Sequence, residues 1–251
     1  MRGDATLGSP GARTSGRLAL GRSPLDFLSL IGNAPIDDRN GFGAARRGAH
    51  SGPDGRLVAD KVTLRREAKV ASIVAAAWGL AREHGIAGVS LHALAREVGM
   101  RQPSLYEYFD SKHALYDAMF ADGNRQLLER LDALKLPRDP RAALKKCLGI
   151  FVAFAVEDPA RSELLFQRHI PDFTPSPPSY ALAEEALGRA VKLMGEAGVT
   201  EQGDVDCIVA MTAGLMEAQM SNDPGGNRWT RHLNHLVDLY LDDAIRRSRG
   251  R

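Results

Sequence analysis

The run Ser90–Lys112, SLHALAREVGMRQPSLYEYFDSK, constrains the fold more than any other stretch, because it holds a helix start, a stop and a restart within a few turns of chain. Ser90 is a good N-cap, and the apolar residues Leu91, Leu94, Ala95 and Val98 that follow it share one helical face. Gly99 stops that helix, since glycine takes the left-handed conformation a sharp turn needs. Gln102-Pro103 restarts it, because proline near the first helical position loses no hydrogen bond. The second helix is expected from roughly Pro103 to Phe109. On it Leu105 and Phe109 lie four apart and face inward, leaving Gln102, Ser104, Tyr106, Glu107 and Tyr108 on or beside the outer surface. This is a helix-turn-helix pattern, and such an outer row suits a helix in the major groove with its N-terminal residues at base edges. Gln102, Pro103 and Ser104 are the candidates for base readout: glutamine can pair with adenine and a proline ring can touch a thymine methyl. Arg101 reaches either guanine or phosphate. His92 and Arg96, on the preceding helix, are assigned solvent or backbone roles.

The segment Leu105-Tyr106-Glu107-Tyr108-Phe109-Asp110-Ser111-Lys112, followed by Leu115, resembles the recognition-helix motif of the TetR/AcrR transcriptional regulators. Upstream, Ile73, Val74, Ala76, Ala77, Leu80 and Gly85 fall where that family has its first-helix core and closing glycine, and Leu94-Ala95 and Gly99 match its second helix and turn. The resemblance runs from Arg65 to Leu115. It implies that the Tyr106 hydroxyl and Lys112 contact the DNA backbone, and that the start of the first helix, with Lys61, Thr63, Arg65 and Arg66, approaches phosphates; a solvated basic face is the alternative for each of these four. Tyr108 either joins the contacts or packs half-buried. The expected DNA-facing set is Thr63, Arg65, Ser90, Arg101, Gln102, Pro103, Ser104, Tyr106, Tyr108 and Lys112.

Charge is uneven along the chain. Lys and Arg minus Asp and Glu gives +2 for residues 1–60, +3 for 61–112 and −3 for 113–251, so the basic excess falls where phosphate neutralisation would use it. Residues 1–60 are rich in Gly, Arg, Ser, Pro and Asp and contain neither Lys nor Glu. They are expected to be a disordered extension, acting either as a basic arm on DNA or as a bland tail. Cys147 and Cys207 have no CxxC partner, which points away from a disulfide framework and a cysteine-based zinc site. No apolar run approaches the roughly 20 residues that cross a bilayer, and a cytoplasmic protein is expected.

From about Thr63 to His84 apolar residues recur at helical spacing. A linking helix is expected after Ser111, to about Leu134, then helices at roughly 141–157, 160–169, 179–197, 202–221 and 228–247, separated by Pro159, the loop at 171–178, Gly198 and the turn at 223–227. No strand pattern competes. The expected fold is all-α: a three-helix DNA-binding domain at 61–112, then a helical ligand-binding and dimerisation domain at 113–251.

By the same resemblance, the last two helices pair with their copies into a four-helix bundle. The candidate surfaces are Ala210, Thr212, Ala213, Gly214, Leu215 and Ala218 on one, and the stripe Trp229, Leu233, Leu236, Val237, Tyr240 and Leu241 on the other. An effector pocket is expected inside the second domain, with Phe151, Phe154, Phe166, Met194, Met211 and Met216 as candidate lining or as plain core. His232 and His235 have the spacing of a metal pair but no third ligand in view, and are assigned to surface or interface. The chain therefore reads as a homodimeric transcriptional regulator, a repressor on a palindromic double-stranded DNA operator, released by a small hydrophobic effector. No metal or cofactor is implied: there is no phosphate loop, nucleophile–base pair or His-rich motif. The alternatives are a helical-bundle enzyme with a structural headpiece, and a headpiece that binds protein.

Overall fold

The computed structural model describes residues 53–167 and 170–249, and among these it is built of helices joined by short turns. The helices are α1 (Pro53–His84), α2 (Leu91–Glu97), α3 (Gln102–Tyr106), α4 (Lys112–Asp132), α5 (Pro140–Glu157), α6 (Pro159–Phe166), α7 (Pro177–Glu196), α8 (Gln202–Asn222) and α9 (Leu233–Arg249), the last preceded by a 3-10 turn at Thr230–His232. The all-α fold expected from the sequence is the fold observed.

Helix ends follow local chemistry. Ser90, Ser111, Asp139 and Asp158 each accept a hydrogen bond from an amide of the first turn of α2, α4, α5 and α6. Pro140, Pro159 and Pro177 open α5, α6 and α7. Gly85 and Gly99, at φ 74° and 66°, close α1 and the α2 turn in the left-handed region.

Two boundaries differ from expectation. Helix α1 begins at Pro53, so residues 53–60 are helix rather than the end of a disordered extension, and the remainder of that expected extension, 1–52, lies outside the described residues. Proline presets the first helical turn, and the composition of sixty residues taken together hid the Arg56-Leu57-Val58-Ala59 segment behind it. Helix α3 stops at Tyr106, with the amides of Tyr108 and Phe109 both bonding the Leu105 carbonyl in a closing turn.

The core is continuous from α1 to α9. Ile73, Ala77, Ile86, Leu94 and Leu105 fill the three-helix headpiece, and Leu115, Met119, Phe120 and Leu127 on α4 carry the same core into the second part. Polar bonds fix the junction. Tyr116 donates to the Ile86 carbonyl (2.8 Å), Trp78 Nε1 to Asp122 (2.9 Å), and Arg82 pairs with Asp158 at 2.8 Å. Asp117 on α4 holds the start of α7, accepting from the Ser176 amide (2.7 Å), Ser176 Oγ (2.8 Å) and Ser179 Oγ (2.9 Å).

Asp117→Ala is expected to cost about 2 kcal/mol, because it orphans donors at a helix start that has no side-chain cap of its own; urea unfolding checks this. Cys147 is buried, which pushes its thiol up to about 11, whereas Cys207 is exposed. A thiol reagent at pH 8 should therefore leave Cys147 untouched in the folded protein and modify it in denaturant.

Candidate nucleic-acid interface and ligand cavity

Between α2 and α3 the Met100 amide reaches back to the Ala95 carbonyl (2.8 Å) and the Gly99 amide to Arg96 (3.2 Å), which sets the second helix across the first. Leu105 and Phe109 are buried, as their spacing requires. Arg101, Gln102, Pro103, Tyr106 and Glu107 are exposed, while Ser104 and Tyr108 are half-buried. Tyr106 is 46% exposed, one of the few large hydrophobic side chains left open among the described residues. Neither the Arg101 guanidinium nor the Tyr106 hydroxyl has a partner among the described residues.

Several neighbours are less free than the sequence implied. Lys112 Nζ donates to the Ala87 carbonyl (2.9 Å) and lies over the Tyr116 ring at 5.3 Å, so one of its three donors is committed to the α1–α2 loop. Arg66 Nη2 donates to the Glu107 carbonyl (3.0 Å) with its guanidinium over the Tyr108 ring at 5.2 Å, which accounts for the half-burial of Tyr108. His92 Nδ1 is 3.4 Å from Gln102 Oε1, so His92 braces the recognition row rather than facing solvent alone. Ser90 Oγ caps α2 through the Ala93 amide (3.1 Å). Thr63 and Arg65 are exposed on α1, and the Lys61 side chain lies outside those described.

A cavity of about 100 Å³ lies among α4, α5, α6, α7 and α8. Phe151, Phe166, Met194 and Met216 line it, together with Leu127, Leu148, Leu165, Leu187 and smaller residues. Two expected lining residues do not. Phe154 is fully buried between guanidiniums, Arg161 at 3.6 Å and Arg130 at 5.0 Å from its ring, on the face of α5 turned to the junction. Met211 lies one position, about 100°, around α8 from the lining residue Thr212 and packs half-buried elsewhere on the core. The sequence reading missed Asn124 and Thr212, the polar members of the lining. Their signal was available: each is a polar residue on a buried apolar helix face, Asn124 between Phe120 and Leu127, Thr212 between Ile208 and Leu215.

On α9, Leu233, Val237 and Leu241 are buried in the chain's own core and are not an open stripe. Thr212 and Leu215 on α8 are likewise buried. Along the middle of α8 the exposed residues are Cys207, Ala210, Ala213, Gly214 and Glu217, and α9 leaves Leu239, 54% exposed, beside the polar Asn234, His235 and Asp242. His232 and His235 are both exposed, and no group of three metal-binding side chains converges among the described residues. No helix among them is long and apolar enough to cross a membrane.

Residues 73–119 match the model for bacterial regulatory proteins of the tetR family. The uncharacterized HTH-type transcriptional regulator YobS of Bacillus subtilis strain 168 is 31% identical over 91 residues, 36% of this chain and 48% of that protein. The chain spans about half the length of the curated relatives it matches. Two solved structures share the fold. A protein of unknown function from Rhodococcus sp. RHA1 superposes with a TM-score of 0.57 at 21% identity, over 68% of this chain and 92% of that one. The structure of BioQ with its double-stranded DNA operator superposes with a TM-score of 0.50 at 19% identity, over 70% of this chain and 97% of that one. With the motif residues on a turn and short helix inside it, the segment 73–119 is the part of the chain that matches the tetR family of bacterial regulatory proteins.

Proposed function

We propose that the chain acts as a homodimeric repressor that binds a palindromic operator and is released by a small hydrophobic effector held in the cavity. The observation that carries the DNA half of this reading is the state of α3: its buried side is anchored by Leu105, while Arg101, Gln102 and Tyr106 stand exposed on one outer row. Phosphate contacts position such a helix and base-edge contacts give it specificity. The BioQ structure is a relative in fold that was solved on its operator, which supports the same use of the row here.

The cavity supports the effector half. Its walls include α6, and α6 begins at Asp158, the partner of Arg82 on α1. An effector that fits better when α6 is displaced would bias the headpiece through that ion pair. By linkage the operator then weakens the effector by the same factor. Two half-sites about one helical turn apart need a two-fold dimer. The small exposed residues of α8 with Leu239 of α9 form the surface on which a second copy would sit.

The test is a titration against the DNA upstream of the gene at two salt concentrations, with random DNA as competitor. Tight, competitor-resistant binding is expected; binding no better than to random DNA would remove the operator reading. Gln102→Ala should lower discrimination at one base pair by about 1–3 kcal/mol. Tyr106→Phe should weaken binding to all sequences alike, and Arg101→Ala will place that residue on a base or on phosphate by whether selectivity or the salt slope falls. Leu239→Glu should convert dimer to monomer in sedimentation while the monomer keeps its helical content, and operator affinity should fall with it.

A further inference from the structure

Resting on the reading of the cavity as the effector site, we infer that its occupant is a compact, uncharged molecule carrying one hydrogen-bond donor, a hydroxyl or an N–H, which it gives to Oδ1 of Asn124. Asn124 lines the cavity and is 2% exposed. Its side chain donates to the Phe120 carbonyl at 2.9 Å. Because that partner is a carbonyl, the atom facing it is the amide nitrogen, which fixes the other atom as oxygen. That oxygen has no partner among the described residues. An acceptor on a cavity wall with no protein partner is open to a donor from whatever occupies the cavity.

The second polar group points the same way. Thr212 gives its hydroxyl proton to the Ile208 carbonyl at 2.7 Å, so it offers the cavity only lone pairs. A ligand whose polar atom is only an acceptor gets no donor from Thr212 and leaves the Asn124 oxygen unmet. Among the described residues no lining side chain carries a charge, so an ionised carboxylate or ammonium would lose its hydration with no counter-charge from them in return. Size limits the rest. An apolar cavity of about 150 Å³ takes benzene, and one of about 100 Å³ suits a single ring or a short branched chain, with Met194 and Met216 as adaptable walls.

The test uses the full chain and three probes, phenol, toluene and benzoate, by calorimetric titration on the native protein and on Asn124→Leu. Phenol and toluene match in heavy atoms and differ in the donor; comparing their affinity ratio between the two proteins cancels their different partition out of water. Both neutral probes are expected to bind the native protein and benzoate not to bind. The phenol-to-toluene ratio should fall about five-fold in Asn124→Leu, the worth of one buried hydrogen bond. If leucine does not fold there, Asn124→Ala is read in the same way. An unchanged ratio with toluene still bound overturns the assignment to Asn124 and leaves the cavity as a ligand site. Benzoate binding as tightly as phenol overturns the uncharged class. Failure of both neutral probes to bind the native protein removes the effector site itself, and this inference with it.

Discussion

The two halves of the molecule are joined at a buried arginine. Arg161 on α6 has almost no exposure, yet its guanidinium donates to Gln126 Oε1 (3.0 Å) and to the Phe154 carbonyl (2.9 Å) and stacks 3.6 Å from the Phe154 ring. Burial pulls its pKa down, while Asp158 and Glu157 oppose that by favouring the charged form. A buried charge is tolerated only when paired and hydrogen-bonded, so these partners have little freedom to leave. Asp158 is the pivot. It accepts from the Arg161 amide as N-cap of α6 and from Arg82 of α1, and Gln126 beside it shares Asp122 with Trp78 of α1. The position of the headpiece is therefore tied to the position of one short helix.

That helix also reaches the cavity. Leu165, which lines it, stands four residues from Arg161, on the same side of α6. Gly123 lets α4 approach it: a Cβ at that position would come within 2.9 Å of Leu165 Cδ1. The next residue of α4 is Asn124. A ligand on the Asn124 wall thus lies against the contact that sets the distance between α4 and α6. Interiors packed at this density shift between discrete arrangements instead of deforming smoothly. The proposed release of DNA needs no more than a second arrangement of α6 in which Asp158 holds Arg82 differently.

What could be read from the sequence was what is local. Caps at Ser90 and Ser111, the glycine turns, and the inward pair Leu105 and Phe109 are each decided within five residues, and the headpiece followed from them. The start of α1 was hidden because compositional averaging over residues 1–60 cannot see one helical turn. Contacts across long sequence separations left no pattern: Arg66 with Glu107, Trp78 with Asp122 and Arg82 with Asp158 are 41, 44 and 76 residues apart. The cavity lay between these cases. Phe151 and Phe154 look equivalent as apolar residues of one helix, and only the burial of Arg161 decides that Phe154 serves the junction.

The same distinction bears on the DNA-facing surface. The sequence presents Arg66, Arg101 and Lys112 as interchangeable cations, but two of them have carbonyls to hold. Arg66 ties the end of α3 through the Glu107 carbonyl, and Lys112 ties the α1–α2 loop through the Ala87 carbonyl. Recognition in a groove depends on side chains whose backbone is already fixed, since any ordering left until binding subtracts from affinity. Helix α3 is five residues long and too short to hold itself in that position. Clamped at its C-terminal end by Arg66 and followed by the anchored start of α4, it presents Arg101, Gln102 and Tyr106 on a fixed frame. The cations that look most available for phosphate are thus partly occupied in holding the groups proposed to read the DNA.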